Sequence, residues 1–302
     1  MLRFIQGVGH ACVFSPLFAA VVRIVPVKYR ARGIGYFTVC IQLGNTIGSF
    51  WGGSWVDDGA YTGLFSASAF ICCIGVLVGF SIREAKPLAP SPESRNSEIN
   101  GNAKTRPYQF FGYLSVLVLL GSTFGIALQF MPIFFDFMLQ AAWIKTPISN
   151  VYFMTTALVT VAIVRLTLGG LSDGAHRNRI MAICHGTLCL ALLGFASIRS
   201  ETTAFVVAII FGLSYGLLFP AVNAALMGMA KPHERGKVSG WLAMVYEFGF
   251  RGLPILLGSV VYHISYTAMY YLLAMSYAIS VGILAYCKHL DKKALNSPAA
   301  SF

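Results

Sequence analysis

The chain has 302 residues, 57% of them hydrophobic and only 11% charged, and its mean hydropathy is +0.70. So little polar surface excludes a water-soluble globular protein. The net charge of +11 would suit nucleic acid, but seventeen of the 22 Lys and Arg fall in alternate loops between apolar stretches, the pattern that orients membrane proteins and needs no nucleic acid.

Nine apolar stretches occur, at 4–25, 34–55, 61–82, 110–135, 151–171, 180–198, 203–230, 238–261 and 267–287. Each is near or above the roughly 20 residues a helix needs to cross the hydrocarbon core. The first begins like a secretory signal, but Gln6 and His10 interrupt its apolar run and it is too long, so it reads as a span. The basic loops at 23–32, 83–106, 177–179, 231–237 and after 287 read as cytoplasmic. That places the C-terminus inside and, with nine spans, the N-terminus outside. The expected organisation is a partial N-terminal bundle of three spans (1–82), a polar linker (83–107), a six-helix bundle (108–288) and a tail (289–302). The seven cysteines lie in spans without metal-ligand or redox spacing and read as free thiols.

In chain order, Arg3 comes first. An arginine at membrane depth costs at least ~2.5 kcal/mol, so it either faces a cavity or snorkels to the nearby interface. The second span reads G-x8-G-x3-G-S-x2-G-G from Gly35 to Gly53. At helical spacing Gly44, Gly48 and Gly52 form one small-residue stripe, a face on which helix backbones pack closely, and Gly35 falls on the opposite side. Asp136 ends the fourth stretch, near the outer interface. Arg165 lies in the fifth, which closes on Gly169-Gly-Leu-Ser-Asp173-Gly-Ala-His-Arg177-Asn-Arg179. There glycine permits close helix approach, Asp173 can pair with cations or a helix N-terminus, and the arginines hold the loop inside; a plain tight turn is the structural alternative.

In the eighth stretch Glu247 and Arg251 stand four apart on one helix face and can pair. An intramembrane carboxylate can take up and release a proton, so Glu247 is the best coupling candidate, with Arg3, Arg251 and Asp136 beside it. The alternative is that Glu247 and Arg251 neutralise each other as a packing element. Pro254 removes a backbone donor in mid-span and predicts a kink. Polar residues inside spans are the cavity candidates: Gln6, His10, Gln42, Asn45, Gln129, Tyr215, Asn223 and Tyr246.

The glycine run resembles the fifth-helix motif of major facilitator superfamily antiporters, with Ser49 where that motif has proline. The segment from Arg3 to Ala11 resembles the superfamily's fourth-helix motif R-x-x-x-G-x-G-x-A. The loop at 169–179 resembles its G-x-x-x-D-[RK]-x-G-[RK]-[RK], with Gly174 and His176 replacing a basic residue and a glycine. The resemblance implies an all-α membrane protein of the major facilitator fold. It links Arg3 to proton transfer, makes Gly169, Asp173 and Arg177 a gating loop, and makes Gly35, Gly44, Gly48, Gly52 and Gly53 packing positions. Arg165 resembles an arginine common in the superfamily's eighth helix and reads as structural first.

A shift of 205 residues brings Gly7 onto Gly212, Arg30 onto Arg235, Gly35 onto Gly240, Gly44 onto Gly249 and Gln42 onto Glu247. Two related halves are the construction of many transporters. Three spans precede the second copy and have no counterpart before the first. The nine spans therefore read as helices 4–12 of a twelve-helix transporter, short by roughly 90 residues, the length of the unmatched block. A fragment or an internal start explains this better than a nine-span variant. The function implied is proton-coupled export of a small organic solute by alternating access. The alternatives are an uptake symporter of a sugar, organic acid or peptide, which the loss of proline at Ser49 keeps open, and a truncated membrane protein that does not transport. The partners expected are a small-molecule substrate, protons and the lipid bilayer of the plasma (inner) membrane, with the protein monomeric and without cofactor. No nucleophile elbow, phosphate loop or metal-ligand spacing points to an enzyme.

Overall fold

The computed structural model describes residues 2–26, 29–57, 59–81, 107–141, 143–144, 148, 150–173, 177–230 and 234–296. Among them every regular element is a helix, as long apolar runs in a bilayer demand. In order these are α1 (Leu2–Ile24), α2 (Arg30–Asp57), α3 (Tyr61–Ser81), α4 (Pro107–Gln129), α5 (Met131–Gln140), α6 (Asn150–Thr167), α7 (Arg177–Ala196), α8 (Glu201–Met229), α9 (Arg235–Glu247), α10 (Leu253–His263) and α11 (Tyr266–Asn296). A 3-10 turn, Gly169–Asp173, follows α6, and a π-helical turn, Phe248–Gly252, joins α9 to α10.

Among the described residues six stretches are long and apolar enough to cross a membrane: α3, α4, α7, α8, the α9–α10 unit and α11. Gly7–Val22 and Tyr152–Thr167 are shorter apolar helices. In α2 the glycines and Gln42, Asn45 and Thr46 dilute the apolar character. Of the expected linker only Pro107 is described. The basic residues after 287 continue α11 to Asn296.

The 205-residue repeat is visible in the elements. Arg30 and Tyr61 open α2 and α3; Arg235 and Tyr266, 205 residues later, open α9 and α11. The two copies differ where their sequences do. Pro254 has no N–H, and its ring would collide with the carbonyl one turn back in a regular α-helix. The chain answers with the π turn, in which Leu253 N–H donates to Phe248 O, five residues back. The matching residue on α2 is Ser49, and α2 runs as one helix through it.

The α8 helix is the most enclosed, lying between α6 and α7 with α2 and α4 also against it. Ser200 starts it with a capping box: its hydroxyl accepts from Thr203 N–H and the Thr203 hydroxyl accepts from Ser200 N–H. A continuous core of buried aromatics, including Phe134, Phe153, Phe195, Phe211, Tyr270 and Tyr277, fills the C-terminal helices. By contrast α3 has no buried residue and touches α2 alone among the stronger contacts.

Glycine sets one seam within this bundle. A Cβ on Gly121 or Gly125 of α4 would strike the carbonyl oxygens of Tyr246 and Phe250, and one on Gly249 would strike that of Val118. The π turn therefore lies backbone against backbone on α4, with the Ser122 hydroxyl donating to Gly249 O at 3.3 Å.

Candidate functional site

Arg165 occupies the last turn of α6, yet it is only 3% exposed. Tyr215 and Phe219 of α8 lie beside it and continue an aromatic ladder from Phe211, spaced i, i+4 and i+8, whose rings stack along one face with centroids 5.5 and 5.9 Å apart. The Arg165 guanidinium carbon lies 5.7 Å from the Tyr215 ring centre and 5.4 Å from that of Phe219, within cation–π range. Its Nε donates to the Gly216 carbonyl at 3.3 Å. Glycine makes this approach possible. A Cβ on Gly212 would lie 2.6 Å from Thr160 Cβ, and one on Gly216 would lie 3.1 Å from Val164.

Three further elements close the site. From α9, Tyr246 shares a hydrogen bond with the Tyr215 hydroxyl at 2.8 Å, stands edge-on to Phe219 and stacks on Phe250 of the π turn. From α4, Phe124 stacks on Tyr215 at 5.1 Å. From α2, Gly35 lies against Arg165, where a Cβ would be 3.7 Å from the arginine Cβ. Thr38 and Gln42, one and two turns further along that face of α2, are also buried. The result is a buried cation walled by aromatic rings at the junction of α2 with the C-terminal bundle.

The residues singled out from the sequence distribute unevenly. Tyr215 and Tyr246 join the Arg165 cluster. Asn223 is buried on α8, with its amide donating to Phe219 O one turn back at 2.8 Å. Glu247 accepts from Arg251 Nε at 2.8 Å on a partly exposed helix face, turned to its own helix and not to Arg165. Asn45 and Asp136 are exposed; His10 is exposed and stacks on Phe14. A Cβ on Gly44 or Gly48 would meet nothing within 4 Å among the described residues, while one on Gly52 would touch Leu64 at 3.5 Å. The side chains of Arg3, Gln6, Gln129 and Asp173 and the surroundings of Gly53, itself within α2, lie outside what the structure describes. Among those described, no three His, Cys, Asp or Glu group as metal ligands would.

The 3-10 turn meets the N-terminal helices directly. Gly169 and Gly170 lie against Arg32 of α2, where a Cβ on Gly170 would overlap the Arg32 guanidinium. Arg177 opens α7 beyond it. Phe18 and Val22 of α1 and Ala31 and Ile34 of α2 are buried in the shared core, whereas Phe4, Ile5, Ile47 and Trp51, at the other end of the same two helices, are exposed. The two sets of helices thus meet at the end that carries the basic loops.

The model of the Major Facilitator Superfamily matches residues 1–250 and again 153–301. The chain belongs to this superfamily. Over 288 residues it is 24% identical to Multidrug resistance protein 1 of Bacillus subtilis (strain 168), a match covering 93% of this chain and 71% of that protein. It is 26% identical to Multidrug resistance protein 2 of the same organism over 247 residues, spanning 79% of this chain but 60% of that protein. The crystal structure of the human organic anion transporter MFSD10 (TETRAN) superposes with a TM-score of 0.64 at 16% identity, covering 90% of this chain and 67% of that one. At that identity the likeness establishes the fold. As a major facilitator the chain is an integral, multi-pass membrane protein of a family of transporters that bind small molecules within the membrane.

Sequence reasoning found Arg165 but ranked it behind Arg3 and Glu247. The signal it underused was the i, i+4, i+8 aromatic ladder on α8, which marks one face for a flat or cationic partner.

Proposed function

We propose that this major facilitator exports a small organic solute across the plasma (inner) membrane by alternating access, coupled to proton movement. The observation that carries the reading is the one-ended junction: α1 and α2 touch the C-terminal helices at the basic-loop end, with the Arg165 cluster immediately inside that closure. Two related lobes that meet at one end can rock to meet at the other. The basic loops lie in the cytoplasm, with the C-terminus, so the described state is closed inward. The Gly169–Asp173 turn against Arg32 forms the inner latch.

Export is favoured by likeness to two multidrug resistance proteins. Glu247 is the coupling carboxylate: protonation releases Arg251, and deprotonation recaptures it. The protein works as a monomer, without enzymatic activity, cofactor or nucleic-acid partner. The names of the relatives differ in what they carry, so the charge of the solute must come from this chain's own residues.

Proteoliposomes test the reading. A pH gradient should drive accumulation of an amphipathic probe in inside-acidic vesicles, and Glu247→Gln should abolish the gradient dependence while leaving downhill probe movement. Flux indifferent to the gradient would remove proton coupling. Cysteines at Arg32 and Gly170 should cross-link in the closed state and stop flux when they do.

A further inference from the structure

We infer that the Arg165 site binds the negatively charged group of an aromatic organic anion, the solute class of the proposed transport; this rests on the transport reading and sharpens it. A buried charge is normally paired with its opposite, because an uncompensated ion inside a low-dielectric medium is costly. Arg165 has no carboxylate among the described residues: one carbonyl and two ring faces are its polar environment. Glu247, next in sequence to Tyr246, is turned to Arg251 instead. Of the five guanidinium N–H groups only Nε–H has a described acceptor. The remaining fork matches a carboxylate or sulfonate, which takes two parallel hydrogen bonds from arginine.

The surroundings supply the rest of the ligand's shape. Tyr215, Phe219, Tyr246, Phe124 and Phe250 pack ring against ring beside Arg165 in this closed state, so a flat apolar body would take the place of one ring in that stack once the helices part, with the Tyr215–Tyr246 hydroxyl pair as one polar edge. Gly35 of α2 lies over Arg165. Movement of α2 away from α6 is the step that admits the ligand, so binding and the rocking of the lobes use the same contact. The fixed charge of Arg165 already occupies the Tyr215 and Phe219 rings and repels a second cation, and no carboxylate among the described residues draws one in.

The test uses the whole chain in phosphatidylcholine nanodiscs and two probes alike in ring but opposite in charge, naphthalenesulfonate and naphthyltrimethylammonium. Saturable sulfonate binding above that of empty discs is expected, with the cation about tenfold weaker or more, the scale set by hydrogen bonds to charged groups. That comparison needs no variant. Arg165→Gln should lose about tenfold or more in sulfonate affinity, whereas Arg165→Lys, which keeps the charge, should retain part of it. Equal or tighter cation binding overturns the assignment, as does unchanged sulfonate binding by folded Arg165→Gln. Displacement of the sulfonate by added phosphatidylglycerol also overturns it, giving the site to a lipid headgroup. If the sulfonate binds through Arg165 but neither probe crosses proteoliposomes down its gradient, the transport reading fails and the site stands. If only the cation is carried, transport stands and this assignment falls.

Discussion

A glycine's worth in this protein depends on what lies above it, and two glycines related by the repeat show the range. Gly249 is pressed onto the backbone of α4, as Gly125 is onto that of the π turn, while Gly44, the counterpart of Gly249, faces open space among the described residues. A methyl group at position 125 meets a carbonyl that cannot swing aside, so Gly125→Ala is expected to destabilise by about 1–3 kcal/mol, the usual range for overpacking. Gly44→Ala should be neutral or slightly stabilising. Thermal unfolding of both variants in the same detergent checks the contrast; equal effects would mean the α4 seam is looser than its geometry. The sequence displayed both glycines equally and could not say which was covered. Arg165 was likewise visible as a charge inside a span, but its partner carbonyl lies 51 residues away on another helix. Distance along the chain hid the aromatic walls for the same reason.

At the scale of elements, apolar length and the 205-residue register carried most of the fold, although α2, α9 and α11 begin one to four residues before the apolar stretches that announce them. The kink expected at Pro254 takes the particular form of a π turn, because Gly249 and Gly252 leave room for a widened backbone beside α4. The break at Phe130, between α4 and α5, was overlooked although Pro132 announces it: the carbonyl of Leu128 loses its helical donor there. Pro254→Ala restores a donor opposite Phe250 O. The turn should tighten toward regular helix, and hydrogen exchange at residues 253–257 should slow. Unchanged exchange would show that the glycine seam, not the proline, holds the turn open.

For the whole molecule, the distribution of basic loops and the one-ended junction make a joint prediction about sidedness. In right-side-out vesicles of a variant with its seven cysteines replaced by serine, single cysteines at Arg179 and Lys237 should react with a membrane-impermeant maleimide only after permeabilisation. Reaction of one but not the other in intact vesicles would break the two-lobed arrangement. The guanidinium held at the junction has one more effect, felt when nothing is being carried. A fixed positive charge in a dry constriction repels hydronium and sodium, as charged constrictions do in water channels. On the proposed transport reading, a cation that reached the closed junction between cycles would meet this electrostatic barrier, and leak through the resting protein would be held down.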